Sequence, residues 1–157
     1  MITAKEIMTD DVITVTEKET LENVVELLSK HQIGGLPVVD DDEKLTGIIT
    51  VTDIIRYSEK IDVVPMINLH EWVSPYTDTK NLIYFRKGHE ALHETRVTEV
   101  MKKKVFTVKE EDSIENVARL MKRHKINRVP VVNEENKVIG IVTRSDIVKG
   151  IGKLALT

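Results

Sequence analysis

Two short phrases hold the side chains best placed to do chemistry. "GIITVTDII", Gly47 to Ile55, and "GIVTRSDIV", Gly140 to Val148, each run from apolar residues through a Thr-x-x-Asp step and back. A threonine three residues before an acid, at a helix start, is close to a capping box. On that reading Thr50 and Thr143 cap a helix, and Asp53 and Asp146 favour its positive end. The same geometry suits a ligand. A helix N-terminus offers unpaired N–H groups and positive potential to a phosphate. A carboxylate accepts hydrogen bonds from sugar hydroxyls, and a threonine hydroxyl reaches a sugar or phosphate oxygen.

A third candidate is "HEALH", His89 to His93. On a helix, histidines at i and i+4 can share one zinc, with Glu90 as general base. A metallopeptidase also needs a third protein ligand and a substrate cleft. Glu94 and Glu99 follow too closely for the usual arrangement, so metal binding through His89 and His93 is a minor alternative and peptidase activity a remote one.

The elements that must position these groups emerge from an internal repeat. Met8–Tyr57 lies on Met101–Gly150 without a gap, at an offset of 93 residues. Val12, Thr14 and Val15 fall on Val105, Thr107 and Val108; His31, Ile33 and Pro37 on His124, Ile126 and Pro130; Gly47, Thr50 and Asp53 on Gly140, Thr143 and Asp146. Each copy reads as strand, helix, strand, strand, helix. "VITV" and "VFTV" are short β-favouring runs. Thr20 and Ser113 stand at N-cap positions before apolar stripes at i, i+3, i+4 and i+7. "LPVV" and "VPVV" follow, their prolines suited to a strand start, and acidic turns lead into strands apolar on both faces. The closing helices begin at Thr52 and Ser145. His31 and His124 end the first helix of each copy, where histidine satisfies terminal carbonyls and the helix dipole. The division is repeat 1 over residues 1–57, an insert over 58–94 and repeat 2 over 95–157. The insert holds the only tryptophan, Trp72, with Tyr76, Tyr84 and Phe85, broken by Pro65 and Pro75, and is expected to fold over the pair.

Composition narrows the function. The chain has 157 residues, 41% hydrophobic and 31% charged, as a globular protein does. Its net charge of −3 argues against a general nucleic-acid binder. With no cysteine there is no disulfide, thiolate metal site or cysteine nucleophile. The start lacks the build of a signal peptide and no apolar run approaches a bilayer span, so a cytoplasmic protein without membrane association is expected.

Met8 and Met101 before the first strands, "LPVVD" and "VPVVN", and the doubled Thr-x-x-Asp phrase together resemble a pair of cystathionine-β-synthase (CBS) domains, a Bateman module. The resemblance implies an α/β (α+β) fold of two pseudo-twofold-related repeats packed sheet to sheet. It also implies a non-enzymatic regulatory module that needs no cofactor and binds adenosine-containing ligands in clefts between the repeats. Such pairs commonly dimerise, and a homodimer is expected; with no output domain alongside, the signal would pass to an effector protein. The aspartate would clamp the ribose. One cleft would be built from Ile7, Ile33, Gly34, Arg128, Ile141, Thr143, Arg144 and Asp146, with Ile141 against the adenine. The second and weaker cleft would use Ile48, Thr50, Asp53, Val100, Ile126 and Asn127.

The two are not equivalent. Arg128 stands where nucleotide-binding family members often carry an arginine, whereas repeat 1 has Gly35 there; Arg144 is matched by Val51. Charge-assisted contacts to phosphate outweigh neutral ones. The Asp146 cleft is therefore expected to take AMP, ADP or ATP, and the Asp53 cleft S-adenosylmethionine, methylthioadenosine or nothing. The rival reading is an assembly module whose clefts bind no ligand.

Overall fold

The structure is a computed structural model, and it describes residues 1–61, 88 and 90–156. Trp72, Tyr76, Tyr84, Phe85, Pro65, Pro75 and His89 lie outside the described residues. The elements run α1 (Ala4–Ile7), β1 (Val15–Thr16), α2 (Leu21–His31), β2 (Gly35–Val39), β3 (Leu45–Thr50) and α3 (Val51–Lys60). After the helical residues 90–94 and a 3-10 turn at Val97–Glu99 come α4 (Ile114–His124), β4 (Arg128–Val132), β5 (Val138–Thr143) and α5 (Arg144–Ala155). One sheet has the order β1-β2-β3, and the other is the pair β4-β5. The mixed α/β class and the repeated order of elements are thus as expected.

The local reasons repeat as well. In α2 the stripe buries Leu21, Val24 and Leu28, and in α4 it buries Ile114, Val117 and Met121. Both helices stop at a residue in the left-handed region, Gln32 and Lys125, each at φ 53°. Ser113 Oγ accepts the Asn116 N–H at 3.2 Å, whereas Thr20 makes no side-chain cap bond. Ser113→Ala should therefore cost about 1 kcal/mol in urea unfolding, and Thr20→Ala distinctly less. Equal losses would show that the capping bond does not set the difference. In the turns, Asp40 Oδ1 accepts the N–H groups of Asp42 and Lys44 at 2.9 and 3.0 Å. Asn133 Oδ1 does the same for Glu135 and Lys137, both at 3.0 Å.

Three details differ from expectation. The first strands shrink to two residues in repeat 1 and, in repeat 2, to a single parallel bridge between Val108 and Val131. Each lies at a sheet edge, where one neighbour is available and a β-favouring run finds few partners. The closing helices begin one residue early, at Val51 and Arg144, because the threonine itself is the N-cap. Pro130 sits mid-strand, opposite Ile141. It is tolerated because the backbone of Ile141 faces away, exchanging hydrogen bonds with Thr9 at 2.9 Å in both directions. No donor is asked of residue 130.

The chain divides into two compact units that do not follow the repeats as read along the sequence. The first is Met1–Thr14, Val39–Thr46 and Lys104–Thr157; the second is Val15–Val38 and Gly47–Lys103. The start of repeat 1 therefore belongs with the body of repeat 2. Ala4 is fully buried among Val108, Ile114, Val117, Met121, Val129, Val131, Val142 and Ile147. Gly140 makes this docking possible: an added Cβ there would lie 2.2 Å from Met8 Sδ. In the second unit Gly47 receives Met101 in the same way, at 2.4 Å. The paired methionines and glycines of the repeat are thus one device, a thioether filling the space left by a missing side chain.

Candidate functional site

In the first unit, Thr143 ends β5 and caps α5. Its backbone N–H and its hydroxyl both donate to Asp146 Oδ2, at 2.8 and 3.0 Å, and its Oγ1 faces the Asp146 N–H at 3.4 Å. The capping-box reading is therefore realised. It leaves Asp146 Oδ1 with no cation within 4.0 Å among the described residues.

Arg128 is directly opposite Thr143 across the β4–β5 ladder, so the two side chains rise from the same face. Its Nε is buried without a hydrogen-bond partner, and burial pulls the guanidinium below its usual range. A buried donor with no acceptor costs stability. Beside it, the Arg144 N–H donates to Asn127 O at 3.1 Å and its Nη1 lies 3.5 Å from Asn127 Oδ1. Ile7 is brought in by the N-terminal segment, two residues before the Thr9–Ile141 bridge. Six of the eight residues expected in the Asp146 cleft thus share one unit: Ile7, Arg128, Ile141, Thr143, Arg144 and Asp146. Ile33 and Gly34 belong to the second unit.

The second unit repeats the step with a difference. The Thr50 N–H and hydroxyl donate to Asp53 Oδ2 at 3.0 and 2.9 Å. Asp53 is buried, however, and Lys102 Nζ stands 3.6 Å from its Oδ1. Lys102 arrives through a bridge with Ile48, just after Val100 and Met101. The Val51 N–H donates to Gly34 O at 2.9 Å. Ile48, Thr50, Asp53 and Val100 share this unit, while Ile126 and Asn127 belong to the first.

Lys102 escaped the sequence reading, which compared only positions 35 and 51 with 128 and 144. Its signal was present in the repeat: "KKKV" follows Met101 where "TDDV" follows Met8, so Thr9 holds the matching place. The two carboxylates therefore differ in company. Asp53 already has a cation, and Asp146 has a hydroxyl-bearing residue at the equivalent position.

The histidines do other work. His124 stacks on Phe106, ring centroids 3.6 Å apart, while Lys125 caps its helix. Glu22 accepts the hydrogen bond of His93 Nδ1 at 2.8 Å, and that bond raises the imidazole above its ordinary value. With His89 outside the described residues, the H-E-x-x-H reading stays at one placed histidine. No group of three His, Asp or Glu that could hold a metal ion occurs among the described residues.

A family model, the CBS domain, matches residues 4–60 and again 97–153. The chain belongs to the CBS-domain family. It carries two CBS domains, as the repeat implied. MJ1426 of Methanocaldococcus jannaschii is 33% identical over 143 residues, covering 88% of this chain and 85% of that protein. The solved CBS domain pair of protein MJ0100, in complex with 5′-methylthioadenosine and S-adenosyl-L-methionine, superposes with a TM-score of 0.72 at 27% identity. That match covers 96% of this chain and 100% of the other. Archaeal inosine-5′-monophosphate dehydrogenases and a homoserine O-acetyltransferase also match at 31–32% identity, but the chain spans only 22–24% of their length. In those enzymes the CBS pair is a minor part of the whole. Among the described residues, no helix is long and apolar enough to cross a membrane.

Proposed function

We propose that this CBS pair is a regulatory sensor of adenosine-containing ligands, not an enzyme, and that it signals to a partner protein. The observation that carries the reading is Arg128, with its buried, unpartnered Nε, opposite the Thr143–Asp146 step. A phosphate would supply the missing acceptor. Asp146 Oδ1 would accept from the ribose hydroxyls, and Ile7 and Ile141 would give the base an apolar wall. The complex of the MJ0100 pair with two adenosyl compounds supports the ligand class.

Lys102 supports an unequal pair of sites. To clamp a ribose, Asp53 must give up part of an ion pair, whereas Asp146 has none to give up. The first unit is thus the site for AMP, ADP or ATP, and the second takes a less anionic adenosyl ligand or none. A ligand would shift the module between conformations only through different affinities for them, and that shift would be the signal.

Mass spectrometry of ligands retained by the purified protein, with thermal shifts against AMP, S-adenosylmethionine and methylthioadenosine, tests the reading. An adenosyl compound recovered from the protein, or a stabilisation that grows with ligand concentration, is the expected result. No retained ligand and no shift at millimolar concentration would leave assembly as the function.

A further inference from the structure

Lys102 and Thr9 reach their units by the same backbone route. Lys102 pairs with Ile48, and Thr9 with Ile141, each as an isolated antiparallel bridge closed by two hydrogen bonds of 2.9 Å. Each stands one residue after the methionine that fills the glycine notch. The side chains differ. Threonine is short and carries a hydroxyl, whereas the lysine stem brings its ammonium to 3.6 Å from Asp53 Oδ1.

That oxygen is the one the helix cap leaves over, because the Thr50 N–H and hydroxyl both donate to Oδ2. The side chain of Asp53 is 5% exposed and that of Lys102 is 50% exposed. A carboxylate so far out of water depends on its partner for compensation. The ammonium, half in water on a flexible four-carbon stem, can leave it. The hydroxyls of a ribose need carboxylate lone pairs, and at Oδ1 they meet a donor already in place.

We propose, resting on the adenosyl reading of the Thr-x-x-Asp steps, that Lys102 is an internal competitor for the ribose. It holds Asp53 Oδ1 in the free protein, and a ligand enters the second unit only by displacing its ammonium. Thr9 makes no such demand on Asp146, whose Oδ1 has no cation within 4.0 Å among the described residues. The residue at this one register position thus sets how readily each carboxylate takes a ribose. Salt gives the competitor a signature. The pair that must open is screened as ionic strength rises, so an uncharged ligand should bind the second unit more tightly at high salt. A lysine that only held the fold together would not produce that sign.

Calorimetry with methylthioadenosine, an uncharged probe that carries the ribose, tests this in Asp146→Ala protein, where the second unit alone reports. Lys102→Thr installs the residue of the matching place. It is expected to bind about fivefold tighter than its parent, the upper range for an ion pair with one exposed partner, and to lose the rise with salt. Lys102→Met, which keeps most of the stem without the charge, carries the same expectation should threonine there unfold the protein. Lys102→Arg keeps the charge and should bind no tighter than the parent. In Asp53→Ala protein, where the first unit alone reports, Thr9→Lys should weaken the probe about fivefold and make its binding rise with salt. A neutral residue at 102 that binds no tighter, a salt response that survives the substitution, or a Thr9→Lys protein that binds like its parent would each overturn the proposal. With the probe still bound by the first unit, those results leave the adenosyl reading standing. A probe that binds no variant in either unit removes that reading, and the competitor with it.

Discussion

Replacing Arg128 by alanine is expected to weaken AMP binding by about 10- to 100-fold, the range for losing a hydrogen bond to a charged group. Methylthioadenosine, which has no phosphate, should bind the variant nearly as well as it binds wild type. The folded state should not suffer in step. Arg128 holds a buried donor without an acceptor and a partly desolvated charge. Removing a partly desolvated charge whose buried Nε has no partner relieves a cost rather than breaking a bond. The expected signature is therefore a large loss in calorimetric AMP affinity with an unchanged or raised melting temperature. Asp146→Ala, by contrast, should lose both ligands from this unit, because the ribose is common to them. Asp53→Ala should leave the AMP titration largely intact. If Arg128→Ala weakens both ligands alike, Arg128 does not meet a phosphate. If the two aspartate variants lose AMP equally, the two sites are not unequal in the way proposed.

The second large effect concerns a residue with no side chain. Gly140→Ala should destabilise the protein by about 2 kcal/mol, within the usual cost of overpacking a filled core. The new Cβ would stand 2.2 Å from Met8 Sδ, 2.9 Å from its Cγ and 3.2 Å from its Cβ. Swinging the thioether aside is not enough, because the root of the side chain is also close. The N-terminal segment would have to move as a whole, taking the Thr9–Ile141 hydrogen bonds with it. Ile7 would move too, so ligand affinity in the first unit should fall with stability. Urea unfolding of Gly140→Ala, Met8→Ala and the double variant measures the coupling. The double variant should lose less than the sum of the two single losses. Strict additivity, or a Gly140→Ala loss below about 0.5 kcal/mol, the scatter of surface substitutions, would mean that the glycine is not a receptacle for methionine. Gly47→Ala should behave alike, since Met101 Sδ and the Lys102 carbonyl lie 2.4 and 3.0 Å from its added Cβ.

These two residues also mark how far the chain could be read before it was folded. The repeat, its order of elements and the Thr-x-x-Asp caps were all legible in one dimension. They rest on local rules: a 3.6-residue period buries one helix face, and a threonine with an acid three residues on closes a helix start. Arg128 and Thr143, fifteen residues apart in the chain, could be grouped only through the family resemblance. The strand register places them face to face.

What only the tertiary structure decided is which distant pieces share a core. The sequence by itself determined that there are two similar copies and that position 128 in one differs from position 35 in the other. It could not show that Met1–Thr14 packs with Lys104–Thr157, because a segment that crosses to another body leaves no periodicity at the crossing. The same crossing brings Lys102 to Asp53 and Thr9 to Ile141, and so gives the two aspartates different surroundings. Periodicity reports which face of an element is buried. It carries no information on what buries it, and the charge beside each aspartate is a property of the neighbour that arrives.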